Sequence, residues 1–368
     1  MKKKNLCKTL LKTICIVLGI LILALLAYIV YLYASYYRIE DNQELVVEAP
    51  GDDTTTGAAA VLATDTEYSA VTYNIGFGAY LPDYSFFMDG GTSSWAESPE
   101  TVQYAINGAG ELVKSLDPDF ALIQEIDLDA TRSYHTDEYE MLRNILPEYT
   151  TVFAQNYDSA FLFYPFTQPH GSSRAGLGLF SKYPVSSALR RSFPISTSFS
   201  KFFDLDRCYS VSRIPVDNGK ELVIFNLHMS AYGNSDEIRK GQIEMLCNDM
   251  AKEYEAGNYV LCGGDFNHDL KASEEDTESC ESWAFPFPRT ELPEHFAFCL
   301  DLLSSEEQAA LWNSARNADM EYVPGVTYTV TLDGFIISDN IECLSYENVN
   351  TGYSYSDHDP VKVEFVLK

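Results

Sequence analysis

Apolar and polar positions change their spacing twice along this chain. From Thr13 to Tyr37 no charged residue occurs, and "ICIVLGILILALLAYIVYLY" is long enough to cross a bilayer as a helix. Residues 38–67 are acidic and rich in Thr, Ala and Gly, which reads as a spacer beside the membrane. Beyond it, apolar strand-like runs alternate with helical patterns to Lys368 without a second linker. That alternation predicts one domain over 68–368.

Within that domain "YSAVTYNIG" reads as a first strand. A helix is predicted from "SPETVQ", with Ser98 as N-cap and Pro99 in the first turn, to Leu116. "DFALIQE" follows as a strand and "DEYEMLRNIL" as a helix, and "TVFAQ", "AGLGLFSK" and "YSVSRIPV" are strands. "DNG" at 217–219 is a hairpin turn into "ELVIFNLH". "NSDEIRKGQIEMLCNDMAKEYEAG" is the longest amphipathic helix, ending at Gly257. "YVLCGGDF", "TLDGFIIS" and "PVKVEFVLK" complete the strands. Hairpins interleaved with helices predict a layered α/β domain with mixed sheets.

Charge changes the picture. The net charge is −29, yet Lys2, Lys3, Lys4, Lys8 and Lys12 crowd the first twelve residues, so 13–368 hold 20 basic against 54 acidic groups. Residues 1–12 therefore read as a basic cytoplasmic tail and 13–37 as a single-pass anchor, with the remainder outside the cell membrane. A cleaved signal peptide is the rival reading. No A-x-A site lies directly after the apolar run, however, and the run exceeds a usual signal core. So acidic a surface repels polyanions at long range and disfavours tight binding of duplex nucleic acid through a broad basic face. It leaves room for a phosphate held locally by a cation. Eight cysteines show no C-x-x-C pair and no zinc pattern, and their spacing assigns no bridge.

Polar residues recur where apolar runs stop. "VTYN" ends on Asn74, "ALIQE" on Glu125 and "VIFNLH" on His228. "YVLCGGDFN" ends on Asp265 and Asn267, "TLD" brings Asp333, and "YSDHDP" places Asp357 and His358 before the last strand. Taken singly, a strand-terminal Asn or Asp is a turn former and a lone His a surface group. Together, at strand ends that share sheets, they predict one polar edge suited to phosphoester hydrolysis. Hard oxygen donors without cysteine favour Mg²⁺, with Mn²⁺ the alternative. A His held by a carboxylate can deprotonate water, and a second His can bind phosphate. No G-x-S-x-G or P-loop offers another route.

The ordered set "TYN", "LIQE", "NLH", "GGDFN", "LDGFIIS" and "SDHDPV" resembles the endonuclease/exonuclease/phosphatase superfamily over residues 68–368. That superfamily includes deoxyribonuclease-type nucleases, neutral sphingomyelinases and inositol-polyphosphate 5-phosphatases. The resemblance implies a four-layer sandwich of two mixed sheets flanked by helices. It implies Asn74 and Glu125 as metal ligands, and Asp357 either as a further ligand or behind one. Asp265 and Asn267 would orient water and phosphate, His358 paired with Asp333 would be the general base, and His228 would contact the scissile phosphate.

Two long aromatic stretches, 76–100 and 155–176, depart from a minimal member. The second carries His170 and Arg174, expected either to touch a substrate phosphate or to cover the sandwich edge, with Arg174 paired to a surface acid. The substrate stays open between nucleic acid, a phospholipid headgroup and a small phosphoester. A binding protein that keeps the fold without the chemistry is the alternative, opposed by the presence of Glu125, Asp265, Asn267 and His358 together. The acidic stretch 271–283 reads as a solvated loop.

Overall fold

The computed structural model describes residues 2–50, 61–202, 205–231, 236–273 and 284–368. Residues 51–60 of the expected spacer and 274–283 of the expected acidic loop, including Cys280, lie outside the described residues. The chain divides into two compact units, Met1–Arg38 and Ile39–Lys368. The first holds helix α1 (Lys2–Ser35), whose stretch Leu6–Ser35 is long and apolar enough to cross a membrane.

The second unit runs β1 (Gln43–Glu44), β2 (Val47–Glu48), β3 (Glu67–Asn74), α2 (Pro99–Leu116), β4 (Phe120–Ala130) and α3 (Glu138–Ile145). It continues through β5 (Thr150–Leu162), β6 (Gly171–Ser181), β7 (Ser187–Ser192), β8 (Cys208–Pro215), β9 (Glu221–His228), α4 (Asp236–Glu255) and β10 (Tyr259–Asp265). Then follow β11 (Phe296–Phe298), α5 (Ser305–Ala310), β12 (Ala315–Arg316), β13 (Thr329–Val330), β14 (Asp333–Ser338), β15 (Ile341–Asn348) and β16 (Val361–Leu367). One seven-stranded sheet has the order β1-β7-β8-β9-β10-β14-β11, the other β15-β16-β3-β4-β6-β5-β2.

Alternation along the strands builds the layers. Phe120 and Leu122 of β4 enter the core between the sheets with Phe225 and Leu261, whereas Ala121 and Ile123 face α2 and α3. Helix α2 starts where Ser98 Oγ accepts from Thr101 N–H at 3.1 Å and Pro99 pre-sets the first turn. It buries Val102, Ile106 and Val113 on one stripe. On the opposite face Ile243, Leu246 and Met250 of α4 pack on the other sheet's core. Helix, sheet, sheet, helix is the four-layer sandwich.

Among the described residues β3 with β4 and β9 with β10 are the parallel strand pairs of the two sheets, and α2 and α4 make the respective crossovers. Parallel strands run toward the same edge, so Asn74 at the end of β3 lies beside Gln124 of β4, and His228 at the end of β9 beside Asp265 at the end of β10.

Part of the expected spacer joins the sandwich: β1 pairs with β7, β2 with β5, and Leu62 is fully buried. Arg190, fully buried, fastens this segment. Its guanidinium donates to the carbonyls of Gln155 (2.7 Å), Glu40 (3.2 Å) and Asp206 (2.9 Å) and to Ser192 Oγ. Arg190→Met leaves those buried carbonyls unpaired, and we expect a loss of roughly 3 kcal/mol of stability in denaturant unfolding.

Candidate active site

The register across the first sheet sets three site residues in a row: Asp265 pairs with His228 on one side and with Asp333 on the other. Asp333 opens β14, which is antiparallel to β10, so the start of one strand meets the end of the next. From the second sheet come Asn74, at the end of β3, and Glu125, at a bulge in β4. Glu125 is left-handed there (φ 56°), a conformation that costs free energy outside glycine and here turns the carboxylate off the strand's regular alternation. The second glycine of "GGDFN" has a steric reason: a Cβ on Gly264 (φ 145°) would lie 2.1 Å from the Leu227 carbonyl oxygen.

The polar groups form one network. Asn74 Nδ2 donates to Glu125 Oε1 (3.1 Å) and Asp265 Oδ2 (3.1 Å), while its Oδ1 accepts from Gly76 N–H (3.1 Å). As placed, Asn74 clamps the two carboxylates, and ligation through Oδ1 requires its amide to turn over. Asp265 Oδ1 accepts the Asn267 N–H (2.8 Å), and Asn267 Nδ2 donates to the Met229 carbonyl (2.9 Å). His228 Nε2 lies 3.4 Å from Asp265 Oδ2 and 3.9 Å from Glu125 Oε1. Its Nδ1 is buried without a hydrogen-bond partner among the described residues.

His358 Nδ1 lies 2.7 Å from Asp333 Oδ2, which also accepts from Ser314 Oγ at 2.7 Å. A carboxylate only accepts, so Nδ1 carries a proton, and Nε2 lies 3.9 Å from Asp265 Oδ2. Burial opposes a charged His358, but the Asp333 carboxylate outweighs it and holds the imidazole well above its ordinary range. Burial drives His228 the other way, well below, so it is neutral.

Asp265, Asp333 and His358 bring ligand atoms within 4.8 Å of one another. Asp333 Oδ2 already engages His358 Nδ1 and Ser314 Oγ. Glu125 and Asp357 line the same cavity. Burial, with Glu125 close by, pushes the Asp357 carboxyl up to about 6, and burial raises Asp265 as well. Clustered acids offering oxygen donors, with no thiol in the cavity lining, fit a hard divalent cation.

Around these groups lies a cavity of about 560 Å³. Glu125, His228, Asp265, Asn267, Asp357 and His358 line it, and so does His170. Burial lowers the His170 pKa to about 3, so this ring is neutral. Arg174 does not reach the cavity. It is exposed on β6 and pairs with Asp129 at 3.1 Å.

Three arginines that strand-end reasoning passed over, Arg132, Arg207 and Arg316, are buried and line the same cavity. Arg132 is held by Asp127 (2.9 and 3.1 Å) with its guanidinium 3.7 Å from the Phe77 ring centroid. Arg316 is held by the carbonyls of Leu81 (2.9 Å), Asn317 (3.0 Å) and Tyr80 (3.2 Å). Their signal in the sequence is scarcity: basic residues in an acid-rich chain.

The two aromatic stretches join to make one wall. Ser94 Oγ donates to the Gln168 carbonyl (2.6 Å) and Trp95 Nε1 to the Pro169 carbonyl (2.7 Å). Phe86 and Phe87 pack on His170 with ring centroids 6.0 and 5.9 Å away.

Residues 71–302 match the model of the Endonuclease/Exonuclease/phosphatase family, and the chain belongs to that family of metal-dependent phosphoesterases and nucleases. No curated protein matches the chain in sequence. Among solved structures, an endonuclease/exonuclease/phosphatase from Bacteroides vulgatus superposes with a TM-score of 0.53 at 17% identity, over 83% of this chain and 100% of that one. One from Beutenbergia cavernae gives 0.54 at 15%, over 82% and 72%. D. rerio TDP2, solved with a single-strand DNA product, gives 0.54 at 14%, over 82% and 99%. At these identities the likeness is one of fold.

Proposed function

We propose that this hydrolase is a Mg²⁺-dependent phosphoesterase, anchored by α1 with its catalytic unit outside the cell membrane, that acts on a small phosphoester or a lipid headgroup. The convergence of Glu125, Asp265, Asn267, His228, Asp357 and the Asp333–His358 pair on one cavity carries this reading. Glu125 and Asp357 would hold the cation, which when bound neutralises charge developing on the phosphate. His358, oriented by Asp333, would take the proton of the attacking water through Nε2 in its neutral form, which the positive charge of a bound cation favours over the imidazolium. Asp265 and Asn267 position that water and the phosphate, and the neutral His228 donates to a phosphate oxygen.

The cavity argues for substrate size. Its volume is that of a site that encloses a small ligand, and Phe77, Tyr80, Phe86 and Tyr157 wall it in. The three arginines put phosphate-binding donors in a lining that also holds Asp89, Glu125, Asp265, Asp319 and Asp357, inside a chain of net charge −29. That combination admits one phosphoester and repels a long polyanion. The test is a panel with the full chain in detergent micelles: an inositol phosphate, sphingomyelin, a nucleotide ester, single-stranded DNA and plasmid DNA, each with Mg²⁺ and with chelator. One of the small or headgroup substrates should exceed plasmid by roughly 100-fold or more in kcat/KM. Equal cleavage of plasmid would defeat the size argument.

A further inference from the structure

Cys299 follows β11, the outermost strand of one sheet, and Cys343 lies on β15, the outermost strand of the other. Phe298 is fixed by pairing with Ile336, and Cys343 by pairing with Phe365. The two side chains meet where these open edges approach. Cys299 is buried, Cys343 is partly exposed, and both pack on the same core where β15 meets the turn Cys299–Leu302. Nothing in their spacing of 44 residues announces this, yet the fold brings the two sulfurs together.

We propose that Cys299 and Cys343 form a reversible disulfide that staples the two sheets together along their open edge. The site is chemically asymmetric. The neighbouring Cys299 thiol holds the Cys343 thiol below its ordinary pKa, whereas the buried Cys299 is raised. Cys343, the exposed partner, is therefore the attacking thiolate. It displaces one thiol from a disulfide oxidant and forms a mixed disulfide. Cys299 then attacks Cys343 Sγ and expels the second thiol. Two protein thiols are oxidised to one disulfide, and the oxidant's disulfide is reduced to two thiols that carry both protons.

The closed loop spans 299–343 and contains Ser314, Arg316 and Asp333. Its closure restrains the unfolded chain and ties down the stretch that delivers the partner of His358. In an extracytoplasmic compartment such a bond persists, and in a reducing one it opens.

The full chain in detergent would be treated with oxidised glutathione or with dithiothreitol, then alkylated under denaturing, non-reducing conditions and mapped by peptide mass. The expected result is a linked Cys299–Cys343 peptide pair after oxidation, with Cys208, Cys247 and Cys262 alkylated as thiols. The oxidised protein should melt roughly 5–10 °C above the reduced one. In Cys343→Ser that difference should vanish. Alkylation of both Cys299 and Cys343 after oxidant treatment, or a bridge from either to Cys280, would overturn the proposal, and the wild-type comparison decides it even if the variant folds poorly.

Discussion

His358→Ala should fold as the parent does and lose about 10²–10⁴-fold in kcat, because on the proposed reading it removes the proton acceptor for water. Asp333→Asn should lose most of the same factor. The 2.7 Å hydrogen bond to Nδ1 fixes the tautomer that leaves Nε2 free, and an amide donor at that position can reverse it. The two residues act as one device, so Asp333→Ala combined with His358→Ala should be no slower than His358→Ala alone. Steady-state kinetics on the best substrate of the panel check this. Multiplying losses in the double variant would show that Asp333 works independently of His358. His228→Ala removes a phosphate donor rather than the base, so its loss should multiply with that of His358→Ala.

Glu125→Gln should weaken cation binding by roughly 100-fold, since it removes a charged oxygen donor and keeps the shape. The effect on stability has a sign that separates a cation site from a structural cluster. Without cation, Glu125 adds to the repulsion that, after burial itself, keeps Asp357 raised, so the variant should melt slightly higher than the parent. With Mg²⁺ the order reverses. The parent gains about 2.7 kcal/mol at a cation concentration 100 times its dissociation constant, and the variant gains almost none. Thermal melts across a Mg²⁺ titration, with calorimetry alongside, measure both halves. A Glu125→Gln protein that responds to Mg²⁺ as the parent does would place the cation elsewhere.

The elements of the domain were legible because each carries a local reason. Ser98, Pro99 and the stripe Val102, Ile106, Val113 announce α2, and "DNG" with Gly219 at φ 80° announces the β8–β9 hairpin. The polar strand ends were legible because parallel strands must end at a common edge, and Asp333 joins them through antiparallel pairing with Asp265. What stayed hidden depends on distant packing. β1 and β2 are two residues each, too short for any periodicity, and they exist because edge strands and Arg190 await them. The bulge at Glu125 leaves no trace in "ALIQEIDLDA". Arg132 lies in a short helical turn, Arg207 just before β8 and Arg316 on the two-residue β12, where sequence spacing carries no information about which cavity a side chain reaches. Arg174 stands on a strand that was expected to serve the site, but pairs with Asp129 across the β4–β6 register instead. The contact of Cys299 with Cys343 follows from where two sheet edges stop, which no pattern in either segment encodes.

The most direct test of the central claim is hydrolysis by the purified full chain of the best phosphoester in the panel, measured for the parent, Glu125→Gln and His358→Ala, each with Mg²⁺ and with chelator. Turnover by the parent that requires Mg²⁺, collapses with chelator and is lost in both folded variants is the expected result. Turnover that survives chelator, or that persists in His358→Ala, would contradict a cation-assisted, His358-based phosphoesterase.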